Sequence, residues 1–213
     1  MSLTGLIIGY GRAGKRHGKI LDELGIRWEV IEPNGIQQYD VPDNKGLFAS
    51  LDIYLDRPCR LVADFAVICT PPDLHLAQIR QCLDAGLPVL CEKPLCGLGQ
   101  LTEAEALLGH PNAGKVMVGF NWRYHPKLKE LRQTCSYFFL GCVQHRQLPP
   151  WGLLLDHGSH DLDIASFICG PVLEVVKAKY TKSDDSELWV IETSRGTIWE
   201  QVSALPCERR ADL

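Results

Sequence analysis

Over the first 120 positions, hydrophobic residues come in short unbroken runs separated by longer stretches with helical spacing. Leu3 to Gly9, Arg27 to Glu32, Asp64 to Thr70, Val89 to Cys91 and Lys115 to Phe120 have the length of strands, and Gly46 to Ala49 predicts one more short strand. Strands buried on both faces read as near-continuous apolar runs, and the Asp64–Thr70 run is the clearest of them. Between the runs, Lys15 to Leu24 carries Ile20, Leu21 and Leu24 at helical spacing before Gly25. Leu74 to Ala85 sets Leu76, Ile79 and Leu83 on one helical face before Gly86. Leu51 to Leu55 and Leu101 to Leu108 predict two shorter helices, and Gly35 to Lys45 is polar and turn-rich. Strands alternating with helices over this length predict an α/β fold, a doubly wound parallel sheet with helices on both faces.

The pattern changes near Asn121. Pro126 to Thr134 reads as a short helix, Tyr137 to His145 as a strand, and Leu148 to Gly152 as a rigid loop. Leu154 to Cys169 predicts a helix with Ile164, Phe167 and Ile168 inward, closed by Gly170-Pro171. Three extended runs follow: Val172 to Thr181, Glu187 to Thr193 and Thr197 to Leu205. Ser194-Arg195-Gly196 between the last two reads as a hairpin connection. The expected organisation is a first domain over residues 1–120 and a smaller α+β domain over 121–213 with an open, mainly antiparallel sheet.

Composition narrows the class further. The chain has 213 residues, 46% of them hydrophobic and 23% charged, with a formal charge of -4. This predicts a soluble globular protein with no electrostatic footprint for nucleic acid. No apolar run is long enough for a bilayer and the N-terminus lacks a signal-peptide layout, so a cytoplasmic protein without membrane partners is expected. Nine scattered cysteines, with no Cys-x-x-Cys pair, read as free thiols in a reducing compartment rather than as a disulfide framework. Cys91 and Cys96 flank a lysine turn, so their reactivity is worth testing.

That turn is Glu92-Lys93-Pro94, placed directly after an apolar strand. A lysine there must face a pocket, a ligand or an ionic partner, and the proline fixes φ and removes a backbone donor. Gly9-Tyr10-Gly11-Arg12-Ala13-Gly14 is a GxGxxG between the first strand and first helix, as a dinucleotide site requires. Its backbone from Gly9 through Arg12 and Ala13 to Gly14 would approach a pyrophosphate at the helix N-terminus. Glu32 ends the second strand, where a carboxylate binds ribose hydroxyls and repels a 2′-phosphate, so NAD is favoured over NADP. Thr70-Pro71-Pro72 and His75 follow the Asp64–Thr70 strand and should border the cofactor.

The densest ionisable cluster runs from Asp156 to Asp163. Asp156 and His160 are i, i+4 partners on the predicted helix, a suitable arrangement for a carboxylate-oriented general base. His157, His160, Asp161 and Asp163 read alternatively as metal ligands, but they scatter around the helix without an HExxH pattern, and no metal is expected. A third reading is a solvated, charged helix start.

Taken in order, these motifs resemble the Gfo/Idh/MocA oxidoreductases, the family of glucose-fructose oxidoreductase and inositol dehydrogenase. The residues that carry the resemblance are GxGxxG with His17, Thr70-Pro71-Pro72-x-x-His75, Cys91-Glu92-Lys93-Pro94, Gly119-Phe120-Asn121-x-Arg123-Tyr124-x-Pro126 and Asp156-x-x-x-His160-Asp161-x-Asp163. The resemblance covers about residues 3 to 170. It implies an NAD-binding Rossmann domain and a second domain whose open sheet pairs with another subunit, giving a homo-oligomer. It also implies hydride transfer between NAD and a sugar, polyol or nucleotide-sugar hydroxyl or ketone. Lys93, Asp156 and His160 would be the catalytic group: His160 takes the hydroxyl proton, Lys93 polarises the same oxygen, and Asp156 orients the array. Lys93 and Glu92 would also border the cofactor, while Arg123, Tyr124 and His157 would contact substrate. A cis Lys93-Pro94 bond is expected on the same ground. The second domain is shorter than in most members, so the alternative expectation is a truncated, non-catalytic relative that binds NAD or serves as a partner subunit.

Overall fold

The computed structural model describes residues 3–33, 41–42, 45–57, 63–97, 99–134, 143–144, 158–181, 186–193 and 196–203. These divide into two compact units, Met1–Gly119 and Phe120–Leu213.

In the first unit the elements run β1 (Thr4–Ile8), α1 (Arg12–Glu23), β2 (Arg27–Ile31), β3 (Leu47–Phe48), α2 (Leu51–Leu55), β4 (Phe65–Ile68), α3 (Pro72–Asp84), β5 (Val89–Cys91), α4 (Leu101–Leu108) and β6 (Val116–Val118). The six strands form one sheet in the order β3-β2-β1-β4-β5-β6, with every pairing parallel. This is the doubly wound Rossmann order, whose direction reverses between β1 and β4. Side-chain alternation along the central strands separates two cores. Leu6 and Ile8 join Ile68, Ile79, Leu83 and Leu87 in one, while Ile7 joins Leu21, Trp28 and Val30 in the other. The pairing also runs past the strand ends. Gly9 N donates to Ile31 O at 2.8 Å, Cys69 N to Ile8 O at 2.7 Å, and Glu92 N to Ile68 O at 2.9 Å. The first residues of three loops are therefore held as firmly as the sheet.

Helix α1 corrects one expectation. Of the three apolar residues at helical spacing, only Leu21 is buried, and Ile20 and Leu24 are exposed. The inner face is instead Gly14, Gly18 and Leu21. The cause is distance: a Cβ at Gly14 would lie 2.1 Å from Gly9 O, and one at Gly18 would lie 3.0 Å from the Trp28 ring. The helix runs too near the sheet for larger side chains, so it buries backbone and glycine. Helix α3 follows its sequence pattern, with Leu76, Ile79 and Leu83 buried and Pro72 in its first turn.

The second unit contains a 3₁₀ turn (Asn121–Tyr124), α5 (Pro126–Thr134), β7 (Val143–Gln144), α6 (Ser159–Cys169), β8 (Val172–Thr181), β9 (Ser186–Thr193) and β10 (Gly196–Ser203). Its sheet has the order β7-β10-β9-β8, antiparallel except for the β7–β10 pair. Ile164, Ala165 and Ile168 of α6 pack with Leu128 and Leu131 of α5. Phe167 is only partly buried in that cluster. Of the strand expected over Tyr137–His145, only Val143–Gln144 lies among the described residues, and Leu154 to His157 lie outside them. No helix among the described residues is long and apolar enough to cross a membrane.

Candidate functional site

The loop after β1 is shaped for close approach of a ligand. Gly9 has φ of 88°, a conformation costly for side-chain-bearing residues, and a Cβ there would meet Thr70 at 2.9 Å. Gly14 has no room for a Cβ, as described above. Gly11 differs: a Cβ there would meet nothing within 4 Å. The space at Gly11 is thus open to a ligand, while the flanking glycines are required by the protein itself. Arg12 and Ala13 open α1, and Gly11 at its N-cap brings no side-chain cap to the helix's first backbone N–H groups. At the end of β2, Glu32 is buried and its Oε2 accepts from Tyr10 N at 3.0 Å. This seats a carboxylate beside the glycine loop, as recognition of an adenosine ribose requires. The residues present fit a dinucleotide.

Thr70 and Pro71 follow β4 on the other side of the switch point, and Thr70 Oγ1 donates to Gln78 Oε1 at 2.6 Å. His75, expected to border the cofactor, is buried and committed to the backbone. Its Nε2 lies 2.8 Å from Thr70 O and its Nδ1 2.8 Å from Pro94 O. Carbonyl oxygens only accept, so each of these contacts calls for an N–H on the ring nitrogen that faces it.

The Lys93-Pro94 bond is cis, as the family resemblance implies. Lys93 itself is half-buried. Its neighbour Glu92 is held from α1: Oε1 accepts from Arg16 Nη2 at 2.6 Å and lies 2.8 Å from His17 Nε2. Burial pushes the Glu92 carboxyl up, but the hydrogen bonds and charges of His17 and Arg16 outweigh it and hold the group below the usual glutamate range. Sequence reasoning missed Arg16 entirely, since nothing local marks a residue that reaches one 76 positions away. The thiols of Cys91 and Cys96 are buried and unbridged, and burial raises both above the usual thiol range. Neither is set up as a nucleophile.

In the second unit, Arg123 forms a fork on Asp163. Its Nε lies 2.9 Å from both Asp163 oxygens and its Nη2 also donates to Oδ1. The Asp163 hydrogen bond raises the guanidinium above its ordinary value. Arg123, expected on substrate, thus has a strong intramolecular partner on α6. His160, on the same helix, packs edge-on against Phe120 with ring centroids 6.1 Å apart. Tyr124 is exposed, with Lys129 Nζ 5.6 Å from its ring. Asp156 and His157 lie outside the described residues. Among the described residues, no three His, Cys, Asp or Glu side chains converge as metal ligands would.

Residues 3–121 match the family model described as an oxidoreductase family with an NAD-binding Rossmann fold, Gfo/Idh/MocA. The chain belongs to this family. An inositol 2-dehydrogenase of Saccharopolyspora erythraea is 28% identical over 158 residues, covering 63% of this chain and 46% of that protein. Inositol 2-dehydrogenase of Rhizobium meliloti is 27% identical over 190 residues, covering 77% and 54%. The chain thus spans about half the length of the curated relatives it matches. The crystal structure of a myo-inositol dehydrogenase from Corynebacterium glutamicum superposes with a TM-score of 0.77 at 23% identity, covering 97% of this chain and 69% of that one. That likeness establishes the shared fold.

Proposed function

We propose that this family member is an NAD-dependent dehydrogenase that moves a hydride between the nicotinamide and a hydroxyl, or the matching ketone, of a polyol, sugar or nucleotide sugar. The observation that carries the reading is the glycine loop: open space over Gly11, at the N-terminus of α1, beside a buried carboxylate at the end of β2. Curated relatives named inositol 2-dehydrogenases support a polyol as the substrate class.

When bound, the dinucleotide supplies the hydride acceptor or donor. The chain's own residues do the rest. Backbone N–H groups of the Gly9–Gly14 loop and the positive end of α1 take the pyrophosphate. Glu32 accepts from the ribose hydroxyls, and its charge disfavours a 2′-phosphate, so NAD is preferred over NADP. Thr70 and Pro71 border the dinucleotide beyond the end of β4. Lys93 donates to the carbinol oxygen and stabilises negative charge there as the proton leaves. His160 accepts that proton on its imidazole, and Asp156 orients the reacting groups. Tyr124 and His157 contact substrate, and Arg123 supports the same region through its fork on Asp163. The four-stranded sheet supplies a subunit contact, which light scattering of the purified chain would register as a dimer or larger oligomer.

The test is turnover with NAD across a panel of polyols, sugars and nucleotide sugars, run beside Lys93→Ala. Turnover in the parent, with loss of it and retained NADH binding in the variant, is expected. Tight NADH binding with no reduction of NAD on any member of the panel would overturn the enzymatic reading.

A further inference from the structure

Lys93 lies between two residues that are each tied to a different cofactor-facing segment. On one side the Glu92 carboxylate is bound by Arg16 and His17 of α1, the helix whose first turn forms the glycine loop. On the other, Pro94 O meets His75 Nδ1, and the same ring meets Thr70 O through Nε2. The two anchors bracket a single residue. Glu92 is mostly buried and His75 almost wholly so, which makes both sets of bonds stiffer than surface pairs.

We propose that His17, Arg16 and His75 are positioning residues for Lys93, fixing its backbone to the glycine loop on one side and to the Thr70 loop on the other. This rests on the reading of Lys93 as the group that contacts the substrate oxygen. A lysine side chain is a flexible four-carbon stem, so its ammonium is no better placed than the backbone that carries it. Misplacing a reacting group by about 1 Å can cost around a hundredfold in rate. A histidine and an arginine stand side by side on α1, both directed at one carboxylate 75 and 76 positions away. The arrangement also makes a specific division of labour: α1 would hold the pyrophosphate with its backbone and the lysine turn with its side chains.

The experiment compares His17→Ala, His17→Gln, Arg16→Ala and His75→Gln with the parent in steady-state turnover, NADH titration and thermal melts. His17→Ala should lower kcat by about tenfold, with NADH affinity within about twofold of the parent. His17→Gln, which keeps a side-chain N–H donor, should recover most of that loss. Arg16 is largely exposed, so Arg16→Ala folds and should show a smaller kcat loss in the same direction. It serves as the second variant if His17→Ala or His75→Gln fails to fold. Parent-like kcat in both Arg16→Ala and a folded His17→Ala, with Lys93→Ala inactive, would overturn the positioning role. A loss of NADH affinity equal to the loss of kcat would overturn it too, by assigning His17 to dinucleotide binding. An active Lys93→Ala would instead overturn the reading on which the inference rests.

Discussion

Two glycines of the loop, Gly14 and Gly11, separate folding from binding, and substituting each with alanine tests the site in detail. At Gly14 a Cβ would sit 2.1 Å from Gly9 O, about 1.3 Å inside the 3.4 Å where ordinary contact begins. The obstruction is backbone and cannot rotate away, so the start of α1 must move off β1. Overpacking of this kind costs about 3 kcal/mol, from which about 1 kcal/mol is recovered because alanine favours helix over glycine. A net loss of about 2 kcal/mol lowers the melting temperature by about 4–8 °C in a chain of this size. Gly11→Ala should behave differently. Its φ of -69° suits alanine and its Cβ meets no protein atom, so the melt should stay within about 1 °C of the parent. The methyl would occupy the space proposed for the pyrophosphate, and NADH affinity should then fall at least tenfold, about 1.4 kcal/mol. Differential scanning fluorimetry and NADH fluorescence titration read the two effects separately. Parent-like NADH binding in Gly11→Ala would refute the placement of the dinucleotide. An unchanged melt in Gly14→Ala would refute the close approach of α1 to the sheet.

Three further outcomes follow from particular residues. Glu32→Ala should weaken NAD binding and relax discrimination against NADP; an unaltered ratio of the two affinities would show that Glu32 does not read the ribose. The folded-state value of Glu92 lies below its unfolded value of about 4.3, so its stabilisation is present above that pH and is lost as pH falls through the lower folded value. Glu92→Gln should therefore be less stable than the parent near neutrality, with the gap closing on acidification, and a gap that does not narrow would contradict the His17–Arg16 anchor. Arg123→Ala leaves the buried Asp163 carboxylate without its fork and should destabilise the second unit by about 1–3 kcal/mol, checked by urea denaturation followed through tryptophan fluorescence.

What the sequence made legible was local. The apolar runs of β1, β4 and β5, the Gly9–Gly14 loop and the Glu92-Lys93-Pro94 turn are contiguous, and their spacing carries their meaning. Helix α1 was read less well, because hydrophobic spacing assumes that side chains fill the gap between helix and sheet. Here Gly14 and Gly18 close that gap, and Ile20 and Leu24 face outward. The pairings of Arg16 and His17 with Glu92, and of Arg123 with Asp163, join residues 40 to 76 positions apart. No spacing rule encodes such partners; the parallel sheet and the packing of α6 bring them together. His75 shows the same limit, since its motif placed it near the cofactor while its two bonds make it a brace between backbones.

The central claim is that this chain transfers hydride with the help of Lys93. The most direct measurement is the appearance of NADH absorbance when the purified chain is mixed with NAD and myo-inositol or other polyols and sugars, in parallel with Lys93→Ala. The account predicts NADH formation with at least one substrate in the parent and none in Lys93→Ala, while both bind NADH equally. Equal turnover in parent and variant, or NADH binding without turnover on any substrate, would contradict it.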